Sequence, residues 1–595
     1  MEKTQIMSTP SVLSALKKLR VLLSRPQKVK ALWIAIFAVI SSFFEVITAS
    51  LIVVFSQVLS QPETGLIYLR KVGITTELEQ GKTIVYFAIG VGILYFMKNS
   101  FAAIEIFFQN FSIQRMSYNF KNKLLNKYIE SDYGFYLTRN SSLGLQVVGG
   151  DAELMFSSGM VAFASIISEA IVFCVLISLI VYMNPPLAFI IFILAGLIGL
   201  LLTKVILPKF YQFGQRLQEA SLVGWQTLLQ FFHAFKEIIL LGKREHFINA
   251  YDYQALRKSQ IQALQTSFNA LPRVIIEILF VGLFVVAIAV LVLEHDSPSQ
   301  MMGVLGGYLY AGFRLMPGLN RIINQLNLFK SSIPSIERVY TEYTTVAQAQ
   351  NYKNRPDFHF DKTITFEDVT FKYLNTTTNA LQDINFEIKK GECIGIVGET
   401  GSGKSTVVDI LLGLLTPQTG SVVIDGIFPA NSIQWHQEIG YVPQTLYLLD
   451  DTVENNIAFG ETTIDQDKLA FAVEAAQLTN LTHKLPEGLK TMVGERGMRL
   501  SGGERQRIAI ARALYRKPEV LIFDEATSAL DTETEARLMQ TINRLSKGHT
   551  VIMIAHRLNT LKGCDRILVM GKGHLERIVN YKDLIESPQE EKTYA

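Results

Sequence analysis

Cysteine is scarce in this chain. Its 595 residues include three, Cys174, Cys393 and Cys564, an odd number without a C-x-x-C pair. Neither a disulfide framework nor a cysteine zinc site is compatible with that, and a reduced cytosolic domain accommodates them. Net charge is scarce too: 56 basic and 53 acidic residues leave +3, which gives no reason to invoke nucleic acid as a partner. Charge is missing altogether from runs such as 187–202. The start is polar and lacks an apolar core followed by a cleavage site, so no removable signal peptide is expected.

What the chain has in quantity is apolar length. Hydrophobic residues make up 49%, too many and over too great a length for one soluble domain. They concentrate near 31–57, 84–110, 157–183, 186–206, 272–294 and 301–328, and each stretch reaches the ~20 residues that cross a bilayer. The alternative, a soluble helical bundle, is disfavoured by the uncharged runs. The expected organisation is a cytoplasmic segment 1–30, an all-α polytopic membrane domain 31–330 with six spanning helices, a linker 331–351 and a second, α/β domain 352–595. Lys3, Lys17, Lys18, Arg20, Arg25, Lys28 and Lys30 precede the first span, whereas the loops assigned outside hold Arg70, Lys71 and Lys82. Both termini should be cytoplasmic by that asymmetry.

The second half carries phosphate chemistry. Gly398, Glu399, Thr400, Gly401, Ser402, Gly403, Lys404, Ser405 and Thr406 fit the Walker A pattern, in which glycines let a tight loop turn its N–H groups toward phosphates. Lys404 would reach the β and γ phosphates of ATP, and Ser405 would bind Mg2+. The run 393–397 reads as a buried parallel strand before the loop, and 407–415 as the helix after it. A second apolar strand, 520–523, ends in Asp524, a magnesium-ligating carboxylate, and Glu525, a candidate general base. A capped strand end would be the bland reading of that acidic pair, and the upstream loop argues against it.

Leu500-Ser501-Gly502-Gly503-Glu504 with Gln506 resembles the signature motif of ATP-binding cassette proteins. The resemblance implies further roles in the same order along the chain. Tyr373 is similar to the residue that stacks on adenine, and Gln444 in Y-V-P-Q to the one that senses Mg2+ and faces the membrane domain. Residues 493–497 resemble the exporter loop before the signature, 528–531 the D-loop, and His556 the switch histidine at the γ phosphate. In this family two cassettes pack head to tail, each ATP lying between one Walker A and the partner's signature. One intact copy per chain implies a homodimer. Coupling helices in the family link such domains, and they are expected near 133–142 and 235–247, docking near Gln444.

Ionisable residues inside spans are candidate functional sites, here Glu45, Lys98, Glu105, Glu169, Arg273, Glu277, Arg314 and Arg321. Arg314 and Arg321 share a helix face, and with Arg273 and Glu45 they form the candidate substrate site, three arginines suiting a phosphate or pyrophosphate headgroup. The competing reading is structural ion pairs, for instance Arg273 with Glu277 four residues on. F-F-E-V-I-T-A-S, L-P-R-V-I-I-E and F-R-L-M-P-G-L-N-R-I-I resemble bacterial lipid-linked oligosaccharide flippases, which implies an outer amphipathic helix for 64–72, with an ordinary outer loop as the alternative.

Three function classes follow. The first is an ATP-driven flippase or exporter of a lipid-linked oligosaccharide or related polyprenyl-pyrophosphate glycan, working by alternating access as a half-size homodimer in a bacterial inner membrane. The second is an exporter of peptides, lipids or hydrophobic drugs on the same scaffold. The third, a non-transporting ATPase-gated channel or regulator, is disfavoured by intact Glu525 and His556.

Overall fold

The structure, a computed structural model, describes residues 11–60, 63, 65, 67, 68, 80–183, 204, 206–294, 298–346, 358–374, 376–526, 535–537, 540, 549–555 and 557–586. The chain forms two compact units, Met1–Ser131 with Arg139–Ala347, and Asp132–Thr138 with Gln348–Ala595.

Helices build the first unit. Helix α1 (Val12–Leu22) starts where the Ser11 hydroxyl accepts the Ser14 N–H at 3.1 Å, and it buries Ala15, Leu19 and Leu22 on one stripe. Helices α2 (Arg25–Ser60) and α3 (Gln80–Ile129) follow. At 1.5 Å per residue the 50 residues of α3 reach roughly 75 Å, more than twice the ~30 Å hydrocarbon layer. Such a helix must run on beyond the bilayer. It leads into the short α4 (Tyr133–Leu137), capped by Asp132 and grouped with the second unit.

The next span begins with π-helical turns, Val147–Asp151 and Met155–Met160, before α5 (Val161–Met183). Buried Asp151 sits in the first of them. It accepts from Gln218 at 2.7 Å and Ser335 at 3.0 Å and pairs with Arg338 at 3.5 Å. That network ties this span to α6 (Leu207–His233) and α9 (Pro298–Thr345); between these two come α7 (Phe235–Leu240) and α8 (Arg244–Glu294). Ile206, Phe210, Phe213, Ile261, Ile276 and Ile323 form a core where α6, α8 and α9 meet.

Among the described residues four helical segments are long and apolar enough to cross a membrane: Arg25–Ile52, Gly81–Ile129, Ser141–Cys174 and Arg244–Gly282. Most of the expected span at 186–206 and of the expected outer helix at 64–72 lies outside the described residues, as do the side chains of 301–315 on α9. The expected linker at 331–351 is helical as far as Thr345. Buried Phe329, Ile333, Ile336 and Val339 keep a helical stripe through Pro334, so the helix does not end where the apolar run thins.

The second unit holds two sheets. Strands β1 (Thr363–Phe371), β2 (Leu381–Lys389), β4 (Thr419–Ile424) and β5 (Phe428–Pro429) form an antiparallel sheet in the order β2-β1-β4-β5. The other is ordered β10-β9-β3-β8-β7-β6, with β3 (Cys393–Gly398), β6 (Ile439–Val442), β7 (Val520–Asp524), β8 (Thr550–Ile554), β9 (Arg566–Gly571) and β10 (His574–Val579). Its β3, β6, β7, β8 and β9 are parallel, and β3, β7 and β8 are buried along their whole length, as apolar runs covered on both faces must be. The Cys393 and Cys564 sulfurs are buried 3.4 Å apart beside β3, while Cys174 on α5 is exposed.

Candidate functional site

Register assembles the nucleotide site. Ile396 of β3 and Asp524 of β7 both stand opposite Ile554 of β8, so the carboxyl ends of the three strands are level. Such an edge of a parallel sheet is where ligands bind in α/β folds. The Walker A loop leaves β3 there and enters helix α10 (Lys404–Leu411), which starts three residues before the sequence suggested. Gly403 turns the chain at φ +104°, a backbone conformation that suits glycine, and no side chain caps the helix. Its first N–H groups are left for an anion.

Lys404 lies curled on its own loop, donating to the carbonyls of Gly398 at 2.7 Å and Glu399 at 2.9 Å. Burial lowers its pKa, while Glu525 and Asp524 oppose that effect. Among the described residues the buried Ser402 hydroxyl has no hydrogen-bond partner. An orphaned hydroxyl, a lysine held only by carbonyls and an uncapped helix start together fit the phosphates of a nucleotide. Ser405 is exposed on the first turn, and the Tyr373 hydroxyl shares a hydrogen bond with Thr406 at 3.0 Å.

Glu525 follows β7 at φ +50°, an uncommon conformation for a side-chain-bearing residue. Its N–H donates to Ile554 O at 3.0 Å, and its carboxylate accepts from Gln444 Nε2 at 2.7 Å. Asp524 is buried and accepts from the Tyr441 hydroxyl at 3.4 Å. Sequence reasoning missed Tyr441 and also Asp409 on α10. Burial, then Asp524, pushes the Asp409 carboxyl up to about 6, and the same two causes push the Tyr441 phenol up. Tyr133 of α4 joins them: burial, then Asp409 and Tyr373, raises its phenol. His556 and 528–531 lie outside the described residues.

Ser501 and Glu504 cap helix α11 (Gly502–Tyr515) reciprocally, Ser501 N–H to the Glu504 carboxylate at 2.8 Å and Glu504 N–H to the Ser501 hydroxyl at 3.3 Å. Gly502 and Gly503 form the first turn. Among the described residues no hydrogen bond or ion pair joins this turn to the Walker A loop of the same chain.

A second candidate site lies within the membrane unit. A cavity of about 620 Å³ is lined by Glu45, Lys98, Glu105, Glu169, Arg321 and Gln325, with serines and amides among the remaining residues. Lys98 pairs with Glu45 at 2.8 Å and Arg321 with Glu169 at 2.6 Å. Glu45 and Arg321 are thus brought to one cavity. Arg273 does not line it: exposed on α8, it pairs with Glu277 at 2.8 Å, a partner one turn away that holds the guanidinium against its own helix. The Arg314 side chain lies outside those described.

Comparison with known proteins agrees with this architecture. The family model described as ABC transporter matches residues 381–528, and that of the ABC transporter transmembrane region matches 31–305. An ATP-dependent lipid A-core flippase of Photobacterium profundum is 28% identical over 471 residues, 79% of this chain and 80% of that one. The leukotoxin translocation ATP-binding protein LktB of Mannheimia glucosida is 43% identical over 242 residues, 40% of this chain and only 34% of the relative's length. In fold, the chain is similar to a bacterial Atm1-family ABC exporter with ATP bound, at TM-score 0.77 and 22% identity, over 94% of this chain and 96% of that one. A helical membrane domain followed by an α/β nucleotide-binding domain, matched on both halves, assigns the chain to the ATP-binding cassette transporter family as a type IV half-transporter.

Proposed function

We propose that this chain is an ATP-driven flippase of a lipid-linked oligosaccharide or related polyprenyl-pyrophosphate glycan, working by alternating access as a homodimer in a bacterial inner membrane. The observation that carries the reading is the membrane cavity, where Arg321 faces in among hydroxyl and amide groups. A guanidinium fork suits a phosphate, and hydroxyls and amides suit sugars. The flippase relative, aligned over most of both chains, adds support for a lipid cargo. The basic segment before α2 supports cytoplasmic termini.

The engine follows from the nucleotide site. Tyr373 would stack on adenine, the loop N–H groups and Ser402 would hold phosphates, and Lys404 would leave the Gly398 and Glu399 carbonyls for the β and γ phosphates. Ser405, Asp524 and Gln444 present the oxygen donors that suit Mg2+, which when bound neutralises charge developing on the phosphates. Glu525 would accept the proton of the attacking water. In this structure the Gln444 amide donates to one oxygen of that carboxylate, a bond it would give up on turning its own oxygen toward Mg2+. The partner's Ser501 turn would close the site, and His556 would contact the γ phosphate. Closure then swings the spans outward, and hydrolysis resets them.

The second reading, export of peptides or hydrophobic drugs, draws support from the pairing of Arg321 and Lys98 with acids inside the cavity. ATPase activity in lipid, with and without polyprenyl-pyrophosphate oligosaccharide, separates the two. Stimulation that is lost in Arg321→Ala is expected; none, or equal stimulation in both, favours the second reading. Glu525→Gln should bind ATP yet turn over at least ~100-fold more slowly. A wild-type rate in that variant would remove Glu525 from the role of base.

A further inference from the structure

Arg321 meets any cargo with its guanidinium already engaged. Its Nε donates to Glu169 Oε1 at 2.6 Å across the gap between α9 and α5, and the Glu169 side chain is only 14% exposed. The hollow that receives this carboxylate is shaped for it. A Cβ on Gly318, one turn before Arg321 on the same helix face, would stand 3.0 Å from Glu169 Oε2, so with an alanine there the carboxylate would have to give by a few tenths of an ångström. Pro317, which also lines the cavity, removes a backbone hydrogen bond at the same turn and loosens α9 beside the pair. Lys98 is held by Glu45, and Glu105 faces the same space, so carboxylates outnumber bases three to two around the cavity.

We propose that Glu169 is a built-in stand-in for the anionic group of the cargo: it occupies Arg321 in the empty cavity, gives way when a phosphate-bearing headgroup enters, and on its return evicts that headgroup. This deepens the flippase reading and rests on it. Carboxylate and phosphate compete for the same planar fork of donors. The Arg321 side chain is 47% exposed, so an entering headgroup can reach it, while Glu169 keeps it paired in the empty cavity. Being tethered to α5, the carboxylate competes at a high effective concentration, which keeps cargo binding weak enough for release. Glu105 lines the same cavity, so a Glu169 parted from its cation is left facing a like charge, which favours its return. A neutral headgroup has nothing with which to displace it. Glu169 therefore selects anionic amphiphiles while acting through Arg321, as a positioning residue.

The test titrates ATPase stimulation of the full-length protein in vesicles with a polyprenyl pyrophosphate and, separately, with the uncharged polyprenol of equal chain length. Glu169→Gln is expected to lower the half-maximal pyrophosphate concentration about tenfold, ~1.4 kcal/mol, and to lower the maximal rate because release slows. Glu169→Asp, which keeps the charge, should stay near wild type. Gly318→Ala, which leaves every charge in place, should shift the half-maximum the same way as Glu169→Gln. A half-maximum unchanged in Glu169→Gln while wild type responds would overturn the stand-in role and leave the flippase reading intact. Equal stimulation by the neutral polyprenol would likewise overturn it, and no response in any variant would overturn both. Should Glu169→Gln fail to fold, Glu169→Ala takes its place, an unchanged half-maximum there counting against the proposal.

Discussion

Asp409 holds a proton more tightly than an ordinary aspartate because burial and the neighbouring Asp524 both penalise its charge. Its ordinary value is ~3.9, and in the fold it is about 6. The sign follows from linkage: a raised carboxyl favours folding fully below ~4, and that contribution is lost as pH rises through about 6. At pH 7.5 the ionised group works against the fold. Asp409→Asn should therefore stabilise the fold at pH 7.5 by about 1 kcal/mol once the partly solvated position is discounted, raising the melting temperature, and the gain should fade at pH 5. Thermal unfolding of the two proteins at both pH values checks this, and an equal gain at both would rule out the charge as its cause. The loop from β3 into α10 was readable in advance because its residues, Gly398 to Thr406, adjoin in sequence as they do in space. Asp409 was not readable, since an acid in the middle of a helix carries no signal until β7 brings Asp524 alongside.

Helices show the same division between local and distant partners. The pairing of Arg273 with Glu277 could be anticipated because one helical turn joins them, whereas Arg321 and Glu169 meet from different helices, 152 residues apart. Apolar runs anticipated α2, α3, α5 and α8, but the continuation of α9 to Thr345 depends on burial against its neighbours, which thinning hydropathy does not report. Helix α4 was expected as a coupling element, and its grouping with the cassette brings Tyr133 under the influence of Asp409 and Tyr373. A side chain from the loop after α3 thus lies at the edge of the nucleotide site. Tyr133→Ala should weaken communication between cargo and ATP by about fivefold, ~1 kcal/mol, with cargo stimulation lost ahead of basal turnover. ATPase titrations with and without cargo lipid would show it; unchanged stimulation would leave Tyr133 a packing residue.

For the molecule as a whole, the capped signature turn and the Walker A loop of one chain share no bond among the described residues, which leaves each site open to a second copy. Two inactive variants should then rescue one another. Lys404→Ala spoils one partner of a composite site and Ser501→Arg the other. In a dimer of one of each, one site collects both lesions and the second site is intact. Random mixing makes about half of the dimers mixed, so about a quarter of wild-type sites are restored. ATPase activity of co-reconstituted variants measures this, and mixtures as inactive as their components would mean that each site is completed within its own chain.

The arrangement of the three thiols has a practical consequence for observing such a cycle. Cys393 and Cys564 are buried against each other, and the Cys393 thiol, then burial, pushes Cys564 far from reactivity. Cys174 alone is exposed, on α5 five residues beyond Glu169. The native chain thus arrives with a single exposed attachment point for a fluorophore or spin label, on the helix that carries Glu169, and movement of that helix can be followed by fluorescence or spin resonance without engineering any residue.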